Sequence, residues 1–434
     1  MFLLTTELHR VSRSDSQSGS GVNPDSVTQC EHRVTPWLIK TGKEKYLLLA
    51  VVLLYWVFSS FSSSAQVRIR LYAGNNTDTV VFSVTAGQYK IKYCPNGTAI
   101  LEKGQKFTII KSGEKLVTKT IDDPFRTISD SVLLTGITGY NSFSVTTGKS
   151  PQSIRYYSGN LFCKPDLGTI LLINNCDTES YVAGVVKAEG GSGRHPEYYK
   201  VQALIARTFL YRHMNKHALD GFNLCDNVHC QAFSGITDDS VIVGATLATK
   251  GLVIMGKDSL PITATFHSNC GGETLASEDL WLTGHSYLKK VKDPYCISSR
   301  NSRWNKIITV SDWIGYLKKS GMPSAPAQYA SLNFNQPARM VSYRTGNFSI
   351  PFVQIRTDLG LRSSFFSVKV EGNEVILNGR GYGHGVGLCQ EGAMVMASKG
   401  FDFRKIIDFY YKGVILENFS TVESQTGFSD QIKK

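Results

Sequence analysis

The sequence lacks the motifs of nucleic-acid-binding proteins, although its charge would suit such a partner. Its 434 residues include 47 Lys and Arg against 35 Asp and Glu, which gives a formal net charge of +12. A basic surface attracts polyanions such as nucleic acid, anionic lipid or an acidic polymer. There is no zinc-finger spacing, no aromatic RNA-binding motif and no long Lys/Arg tract. We therefore expect no nucleic-acid partner.

Cysteine is scarce as well. Nine cysteines in 434 residues are too few for a disulfide-rich scaffold, so a hydrophobic core must hold the fold. With 42% hydrophobic residues, the chain can build such a core. Length alone allows two or three domains, or one elaborated domain with a tail.

Long apolar runs are limited to one, residues 46–61. Three lysines at positions 40, 43 and 45 precede it, and the small residues 62–65 follow it. This order predicts a signal peptide cleaved after Ala65, or an uncleaved signal anchor, over residues 46–65. The polar, basic segment 1–45 is expected to be disordered. Either alternative exports residues 66–434, as a periplasmic or a membrane-anchored protein facing the cell wall, with membrane contact only through the N-terminal segment.

The rest of the chain predicts an α+β fold, with mixed short-strand sheets, a few helices and two lobes around a substrate cleft. Short apolar segments between Gly and Asn turns make residues 66–150 β-rich. Apolar residues at helical spacing predict a helix over 196–216, beginning at Pro196. A strand is predicted over 245–255. Further helices are predicted over 310–320, 391–399 and 403–411.

Two features suggest chemistry. Glu189 comes just before the helix that starts at Pro196, and a glycine-alternating segment, predicted to be a strand, spans 379–387. Alternating glycines remove side chains from one strand face, so a sugar or another strand can approach the backbone. The segment lacks the Gly-x₄-Gly-Lys-Ser/Thr pattern of a phosphate loop. The two features together predict a carboxylate beside a groove with a bare floor.

Four blocks in this order resemble the SpoIID/LytB family, the sporulation-type peptidoglycan lytic transglycosylases and the related amidase enhancers. The blocks are 181–189 with 201–208, then 225–233, then 265–274 with Trp281 and 287–288, and finally 361–366 with 379–393 and 410–413. They cover roughly residues 150–416. The resemblance implies a catalytic domain over 151–416, followed by a tail over 417–434.

The resemblance implies cleavage of peptidoglycan glycan strands in cell-wall remodelling, with Glu189 as the single acid/base residue. Such a residue protonates the leaving oxygen and later acts as a base, which requires a raised pKa. The muramyl O6 then attacks its own C1 and forms a 1,6-anhydro product, so neither a second carboxylate nor a cofactor is required. Hydrolysis by paired carboxylates would instead need Glu197 or Glu273.

Six residues are candidates for substrate binding: Gln202, Arg207, Ser268, Tyr382, His384 and Gln390. Arg207 can hold a substrate carboxylate or acetamide, or tune Glu189; the alternative is a structural ion pair in the core. Tyr382 and His384 line the cleft by resemblance. The alternative for the glycines of the segment 379–387 is tight strand–helix packing.

The cysteines leave several alternatives open. His217, Cys225, His229 and Cys230 can form a structural zinc site, as some family members do in this region. A Cys225–Cys230 disulfide and free thiols are the alternatives.

Cys270 and Cys389 stand where a small hydroxyl residue is common in the family. They are expected to be close together, either as a disulfide or, less favoured because no His/Asp arrangement supports it, with a thiol nucleophile.

A second function class also fits the resemblance. LytB-like relatives enhance a cell-wall amidase and need not cut glycan, so the groove would bind glycan or a partner enzyme. Partners on this view are an amidase or division proteins. A retained Glu189 favours catalysis, because a pure binding module needs no acid there.

Overall fold

The computed structural model describes residues 65–95, 97–120, 126–137, 139–148, 154–281, 283–323 and 332–420. The predicted disordered segment 1–45, the signal sequence or anchor except Ala65, and the tail beyond residue 420 lie outside the described residues. Within the described ranges, no helix combines the length and the apolar character needed to cross a bilayer.

Twenty-two strands are described. They are β1 (Gln66–Leu71), β2 (Thr79–Ala86), β3 (Tyr89–Cys94), β4 (Thr98–Leu101), β5 (Lys106–Ser112), β6 (Lys115–Thr120), β7 (Thr127–Ser129), β8 (Ser131–Gly136), β9 (Ser142–Thr147), β10 (Arg155–Ser158), β11 (Asn160–Asp166), β12 (Thr169–Asp177), β13 (Leu224–Cys225), β14 (Leu252–Met255), β15 (Phe266–His267), β16 (Arg303–Thr309), β17 (Ser342–Thr345), β18 (Phe348–Pro351), β19 (Phe366–Glu371), β20 (Glu374–Arg380), β21 (Leu388–Cys389) and β22 (Ile415–Asn418).

Two larger sheets come from the first part of the chain. One has the order β13-β1-β12-β11-β8-β3-β4, and the other has the order β10-β9-β2-β5-β6-β7. Their strands have apolar residues at every second position, which places these side chains on one face of the sheet. In β1, for example, Val67, Ile69 and Leu71 are buried, while the residues between them are more exposed. Strands β1 to β9 all lie between residues 66 and 147.

Seven α-helices are described, together with two short 3₁₀ helices. The α-helices are α1 (Thr178–Gly190), α2 (Pro196–Arg212), α3 (Ser240–Ala248), α4 (Val310–Lys319), α5 (Phe352–Asp358), α6 (Gln390–Ser398) and α7 (Phe403–Tyr410), and the 3₁₀ helices are Ala218–Asp220 and Ser277–Asp279. Helices and mixed small sheets together confirm the predicted α+β class. The arrangement as two lobes around a cleft stays a prediction.

Three local predictions need correction. The helix that starts at Pro196 ends at Arg212, four residues earlier than expected. The segment before it is also helical: Asp177 caps α1 by accepting a hydrogen bond from the Ser180 N–H at 2.9 Å. Residues 240–248 form α3 where a strand was predicted from 245, because Asp239 caps this segment and Ile242 packs into the core. Only 252–255 of that prediction is a strand.

The glycine-rich segment is the main correction in the fold. Strand β20 ends at Arg380, and Gly381, Gly383, Gly385 and Gly387 all adopt positive φ. They therefore belong to an irregular loop and not to a strand with one bare face. A Cβ at Gly381 would lie 2.6 Å from the Asn269 carbonyl oxygen, so the glycine is needed for backbone packing. The tight-packing alternative holds at this position.

A separate, smaller hydrophobic cluster surrounds the buried Trp313 of α4. It packs against the sheet β16-β20-β19, the hairpin β17-β18 and helix α5. The larger cluster covers α1, α2, α6 and α7 together with the inner faces of the first sheets. Glu189 lies on α1, a helix that contributes buried residues to the larger of these two clusters.

Candidate active site

Glu189 lies in the last turn of α1, so it is inside a helix and does not merely precede one. Its carboxylate is half-buried, and Oε1 accepts a hydrogen bond from the Ala232 N–H at 2.9 Å. Burial raises the pKa of Glu189, and the Ala232 N–H opposes this shift only in part. The local environment therefore favours the protonated acid more than water does.

The neighbours of Glu189 come from distant parts of the chain. Gln390, the first residue of α6, donates its Nε2 hydrogen to the Glu189 carbonyl oxygen at 3.1 Å. Tyr181 and Tyr198 are buried, and burial is the main cause of their raised pKa values, to which the nearby charge of Glu189 adds a smaller part. The structure thus brings the first and fourth sequence blocks together at one residue, Glu189.

The residues that precede Glu189 in α1 differ in their burial. Val185 and Val186 are buried within the helix packing, whereas Ala188 is exposed. Gly190 lies against α2, since a Cβ there would be 3.4 Å from the Tyr198 ring. The sequence pattern does not reveal that Tyr181 and Tyr198 lie near Glu189, because an aromatic residue in a helix usually indicates a core position.

Gln202 lies on α2, across from the end of α1. It is 2% exposed, and its Cγ would be 3.7 Å from a Cβ at Gly190. Its Nε2 has no hydrogen-bond partner within the described part of the chain. A buried amide donor without a partner costs free energy unless a ligand or water accepts its hydrogen bond. This position is compatible with the predicted substrate contact.

Arg207 is placed differently. Its side chain is fully buried, and its guanidinium makes a two-pronged ion pair with Glu179, with Nε to Oε1 at 2.9 Å and Nη2 to Oε2 at 2.5 Å. The carbonyl oxygens of Leu252 and Thr246 accept its remaining donors. These contacts support the core ion pair that the sequence left as the alternative to a substrate contact.

Of the other residues predicted to bind substrate, His384 and Ser268 form hydrogen bonds within the protein. The ring of His384 is held at both nitrogens, because Nδ1 accepts from the Val386 N–H at 3.1 Å and Nε2 lies 2.8 Å from the Phe266 carbonyl oxygen. Nε2 must therefore carry the hydrogen, and burial lowers the pKa of His384 to about 4. Ser268 Oγ accepts from the Asn301 side chain at 3.3 Å, and Tyr382 is exposed.

Both candidates for a second carboxylate are engaged elsewhere. Glu197 accepts hydrogen bonds from the Phe403 N–H at 2.8 Å and from Lys200 Nζ at 2.6 Å. Glu273 is buried and accepts from the Arg339 N–H at 2.7 Å. These contacts place Glu197 at the start of α7 and Glu273 beside Arg339, where each carboxylate has a structural partner.

A polar groove of about 740 Å³ runs along the sheet β16-β20-β19. Its lining is rich in side-chain amides and contains one indole: Trp304, Asn305, Asn335, Gln336, Asn378 and Arg380. Gly379 lies under the indole of Trp304, because a Cβ there would collide with the ring. Here a glycine of β20 does allow a close approach, but by a protein side chain.

The predicted Cys/His cluster is assembled. The ligand atoms of His217, Cys225, His229 and Cys230 lie within 4.8 Å of one another. His217 Nε2 is 3.5 Å from Cys230 Sγ, and His229 Nδ1 is 3.6 Å from Cys225 Sγ. The other nitrogen of His217, Nδ1, lies 3.3 Å from the Asp220 carboxylate, the arrangement that orients a metal-binding imidazole.

This donor set fits Zn²⁺. Two thiols and two imidazoles make a closed tetrahedral set of the structural kind, with no position left for a substrate. Cys230 is two residues from Ala232, whose N–H binds the Glu189 carboxylate. A zinc ion held here would stabilise the loop that positions Glu189, and the chemistry it would supply is structural.

Cys270 and Cys389 are neighbours, as expected. The Cys270 N–H points to Cys389 Sγ at 3.3 Å, and both residues are buried. Two further residues join them, Asp293 and Cys296. The sequence reasoning missed these two, although their Asp-x-x-Cys spacing was visible.

The segment that contains Glu189 is similar to known proteins. Residues 166–255 match the SpoIID family, described as stage II sporulation protein. The chain is 30% identical over 259 residues to the stage II sporulation protein D of Bacillus subtilis (strain 168), a match that covers 56% of this chain and 74% of that protein. The family match over residues 166–255 contains α1, α2 and the Cys/His cluster.

Two further relatives are less similar. An uncharacterised protein of Brachyspira hyodysenteriae is 27% identical over 288 residues, 65% of this chain and 78% of that protein. An amidase enhancer of Bacillus subtilis is 27% identical over 289 residues, 54% of this chain but only 40% of that protein.

Proposed function

This chain belongs to the SpoIID/LytB family, and from that premise we propose that it cuts peptidoglycan glycan strands by lytic transglycosylation, with Glu189 as the acid/base residue. Family membership itself supports a cell-wall-related function. The half-buried Glu189 carboxylate carries the finer proposal. An ordinary Glu, with a pKa of about 4.3, is mostly ionised at neutral pH, whereas burial raises the pKa of Glu189.

The proposed reaction has two proton steps at one carboxyl group. Glu189 first donates its proton to the glycosidic oxygen as the bond to C1 breaks. The muramyl O6 hydroxyl then attacks C1, and the Glu189 carboxylate accepts its proton. Because the nucleophile belongs to the substrate, its effective molarity is about 10⁵–10⁸ M, and no second carboxylate is needed.

The surrounding residues position this carboxyl group. The Ala232 N–H holds Oε1, and among the described residues no other hydrogen bond to the carboxylate is found. Gln390 fixes the end of α1 from the opposite block of sequence. Gln202 supplies a buried amide donor for the substrate. Tyr382 is exposed and can contact a sugar ring, while His384 contributes through its loop, since both ring nitrogens are occupied.

The proposal also includes a structural zinc ion and export of the chain to the cell wall. Zinc at His217, Cys225, His229 and Cys230 is structural and is not required for the chemistry itself. Export through the segment 46–65 places residues 66–434 at the cell wall, where the net positive charge suits an anionic polymer.

The second candidate function is enhancement of a cell-wall amidase, because one relative is named an amidase enhancer. On this view the chain binds glycan and a partner amidase without cutting. The raised pKa of Glu189 favours catalysis, since a binding groove gains nothing from a carboxyl group that holds its proton more tightly.

The test is product analysis. The purified full chain and its Glu189→Gln variant are incubated with peptide-free and with intact glycan strands, and the products are identified by mass spectrometry. Glu114→Gln, an exposed carboxylate changed in the same way, is the matched control. We expect 1,6-anhydro-muramyl ends from wild type and Glu114→Gln and none from Glu189→Gln.

Two results would contradict the proposal. Reducing ends in place of anhydro ends would indicate hydrolysis and a second carboxylate. No products from wild type on either substrate, together with stimulation of an added amidase, would support the enhancer function.

A further inference from the structure

A second cluster of metal-binding side chains lies at the start of α6. Cys270, Asp293, Cys296 and Cys389 are all buried, and their ligand atoms lie within 4.8 Å of one another. Cys270 Sγ is 3.3 Å from Cys296 Sγ and 3.3 Å from Asp293 Oδ2. We propose that these four residues bind a second Zn²⁺ ion as a closed Cys₃Asp site.

The donor atoms have the number and spacing that zinc requires. Structural zinc takes four ligands in a tetrahedron, with Zn–S of about 2.3 Å and Zn–O of about 2.0–2.2 Å. Ligand atoms around such an ion are about 3.5–3.8 Å apart, close to the distances seen here. A disulfide would use two of the thiols and would leave the third thiol and the carboxylate buried beside it. A metal ion uses all four.

The local chain geometry suits metal-binding thiolates. Asp293 and Cys296 are three residues apart, the spacing of a Cys-x₂-Cys metal knuckle with a carboxylate as its first ligand. Cys389 is the N-cap of α6, and its Sγ accepts from the N–H groups of Cys270 and Gly392 at 3.3 and 3.4 Å. A helix N-terminus and two N–H donors stabilise negative charge on sulfur.

The surroundings complete the site. The Tyr410 hydroxyl donates to Asp293 Oδ2 at 2.9 Å, and the Tyr295 N–H donates to Oδ1 at 2.9 Å, so the carboxylate is oriented from outside the cluster. The buried guanidinium of Arg339 donates to the Cys270 carbonyl oxygen at 2.8 Å. Three thiolates and a carboxylate carry more negative charge than one divalent ion cancels, and this guanidinium offsets part of the excess.

The second ion would act on the active site through one residue. Cys389 immediately precedes Gln390, whose Nε2 binds the Glu189 carbonyl oxygen. The cluster of His217, Cys225, His229 and Cys230 stabilises the Ala232 side of Glu189, and the new cluster stabilises the Gln390 side. Both ions are therefore positioning elements in this proposal.

The experiment counts metal ions on the full chain, purified under reducing conditions with added Zn²⁺ and then freed of loosely bound metal. The zinc content per chain is measured by elemental mass spectrometry. In a parallel sample Co²⁺ replaces Zn²⁺, so that the absorption spectrum reports whether thiolates bind the metal. The variant Cys225→Ser/Cys230→Ser removes the first cluster, and Cys296→Ser/Cys389→Ser removes the second. Cys94→Ser, a half-buried cysteine outside both clusters, is the control.

We expect the Cys225→Ser/Cys230→Ser variant to keep about one zinc per chain with cobalt–thiolate absorption, and Cys296→Ser/Cys389→Ser to lose that ion. Cys94→Ser should match wild type. Loss of all zinc from folded Cys225→Ser/Cys230→Ser would overturn the proposal. So would a Cys270–Cys296 or Cys270–Cys389 disulfide, found by peptide mapping of the wild-type chain without reduction.

A readout on wild type covers the case in which a variant fails to fold. X-ray absorption at the zinc edge counts sulfur neighbours per ion. Two occupied clusters predict about 2.5 sulfur ligands per zinc, and the second cluster alone predicts about 3. A single zinc per chain with about two sulfur and two nitrogen neighbours would show that only the His217 cluster binds metal, which would refute the second site.

Discussion

The buried ion pair between Arg207 and Glu179 allows a sharp test of how the structure reassigns a predicted substrate contact. Replacing Arg207 by Met keeps the length and apolar stem of the side chain but removes its charge and its donors. Glu179, whose side chain is 11% exposed, then loses its charged partner but keeps the Gly251 N–H, and the Leu252 and Thr246 carbonyl oxygens each lose one donor. We expect the variant to be much less stable than wild type.

The magnitude follows from burial. Breaking a buried ion pair by removing one partner costs about 3–5 kcal/mol, because an uncompensated charge stays in the interior. The Arg207 side chain is fully buried, so solvent screening does not reduce this figure at the arginine end. Replacing both partners removes the stranded charge. Arg207→Met/Glu179→Met should therefore be about 1–2 kcal/mol more stable than Arg207→Met alone.

The assay is urea denaturation of the full chain at neutral pH, followed by circular dichroism. Arg344→Met, an exposed arginine on β17, is the matched control and should change the free energy of unfolding by less than about 0.5 kcal/mol. A substrate contact predicts the opposite pattern, with unchanged stability and weaker glycan binding. An Arg207→Met variant within about 0.5 kcal/mol of wild type would refute the structural assignment.

Three further predictions concern pH, backbone and metal. The raised pKa of Glu189 means that its contribution to stability is complete below the unfolded pKa of about 4.3 and is lost as pH rises through the folded pKa. The Tm of Glu189→Gln should thus rise relative to that of wild type as the pH increases above about 4, and a constant difference would contradict the shift. Gly387→Ala should lower the free energy of unfolding by about 2–4 kcal/mol, since φ is +74° and a Cβ would collide with the Thr265 carbonyl. Gly168→Ala, with φ of +69° and open space around it, should cost only about 1 kcal/mol in the same urea titration, and equal costs would refute the packing argument. A strong chelator should lower the Tm of wild type in calorimetry more than that of Cys225→Ser/Cys230→Ser; identical shifts would argue against metal in that cluster.

The sequence predicts helices well where the signal lies within the helix itself or at its ends. Pro196 at a first helical position and the apolar spacing after it predict α2, and the predicted helix ends at 399 and 411 lie one residue beyond those of α6 and α7. Helix α1 was missed, although Asp177 and Glu179 at its start are an N-terminal signal, because its valines are typical of strands. Packing against α2 decided that segment.

The glycine segment shows where pattern reading fails. Alternation at period two is the signature of a strand, but a positive φ leaves no mark in the sequence other than the glycine itself. The four positive-φ glycines after Arg380 therefore have the sequence pattern of one strand face. Their spacing instead reflects close backbone contacts with residues about 110–120 positions earlier, such as Asn269 and Thr265.

The sequence by itself determined the α+β class, the family resemblance, the singular position of Glu189 and the grouping of His217, Cys225, His229 and Cys230. These depend on composition, short-range spacing and the order of blocks along one chain. The tertiary structure alone decided that Arg207 pairs with Glu179, that Gln390 reaches Glu189, and that Asp293 and Cys296 join Cys270 and Cys389. Each of these contacts joins at least one pair of residues more than 20 positions apart, and the partner of a buried charge or thiol is set by which segments the core packs together.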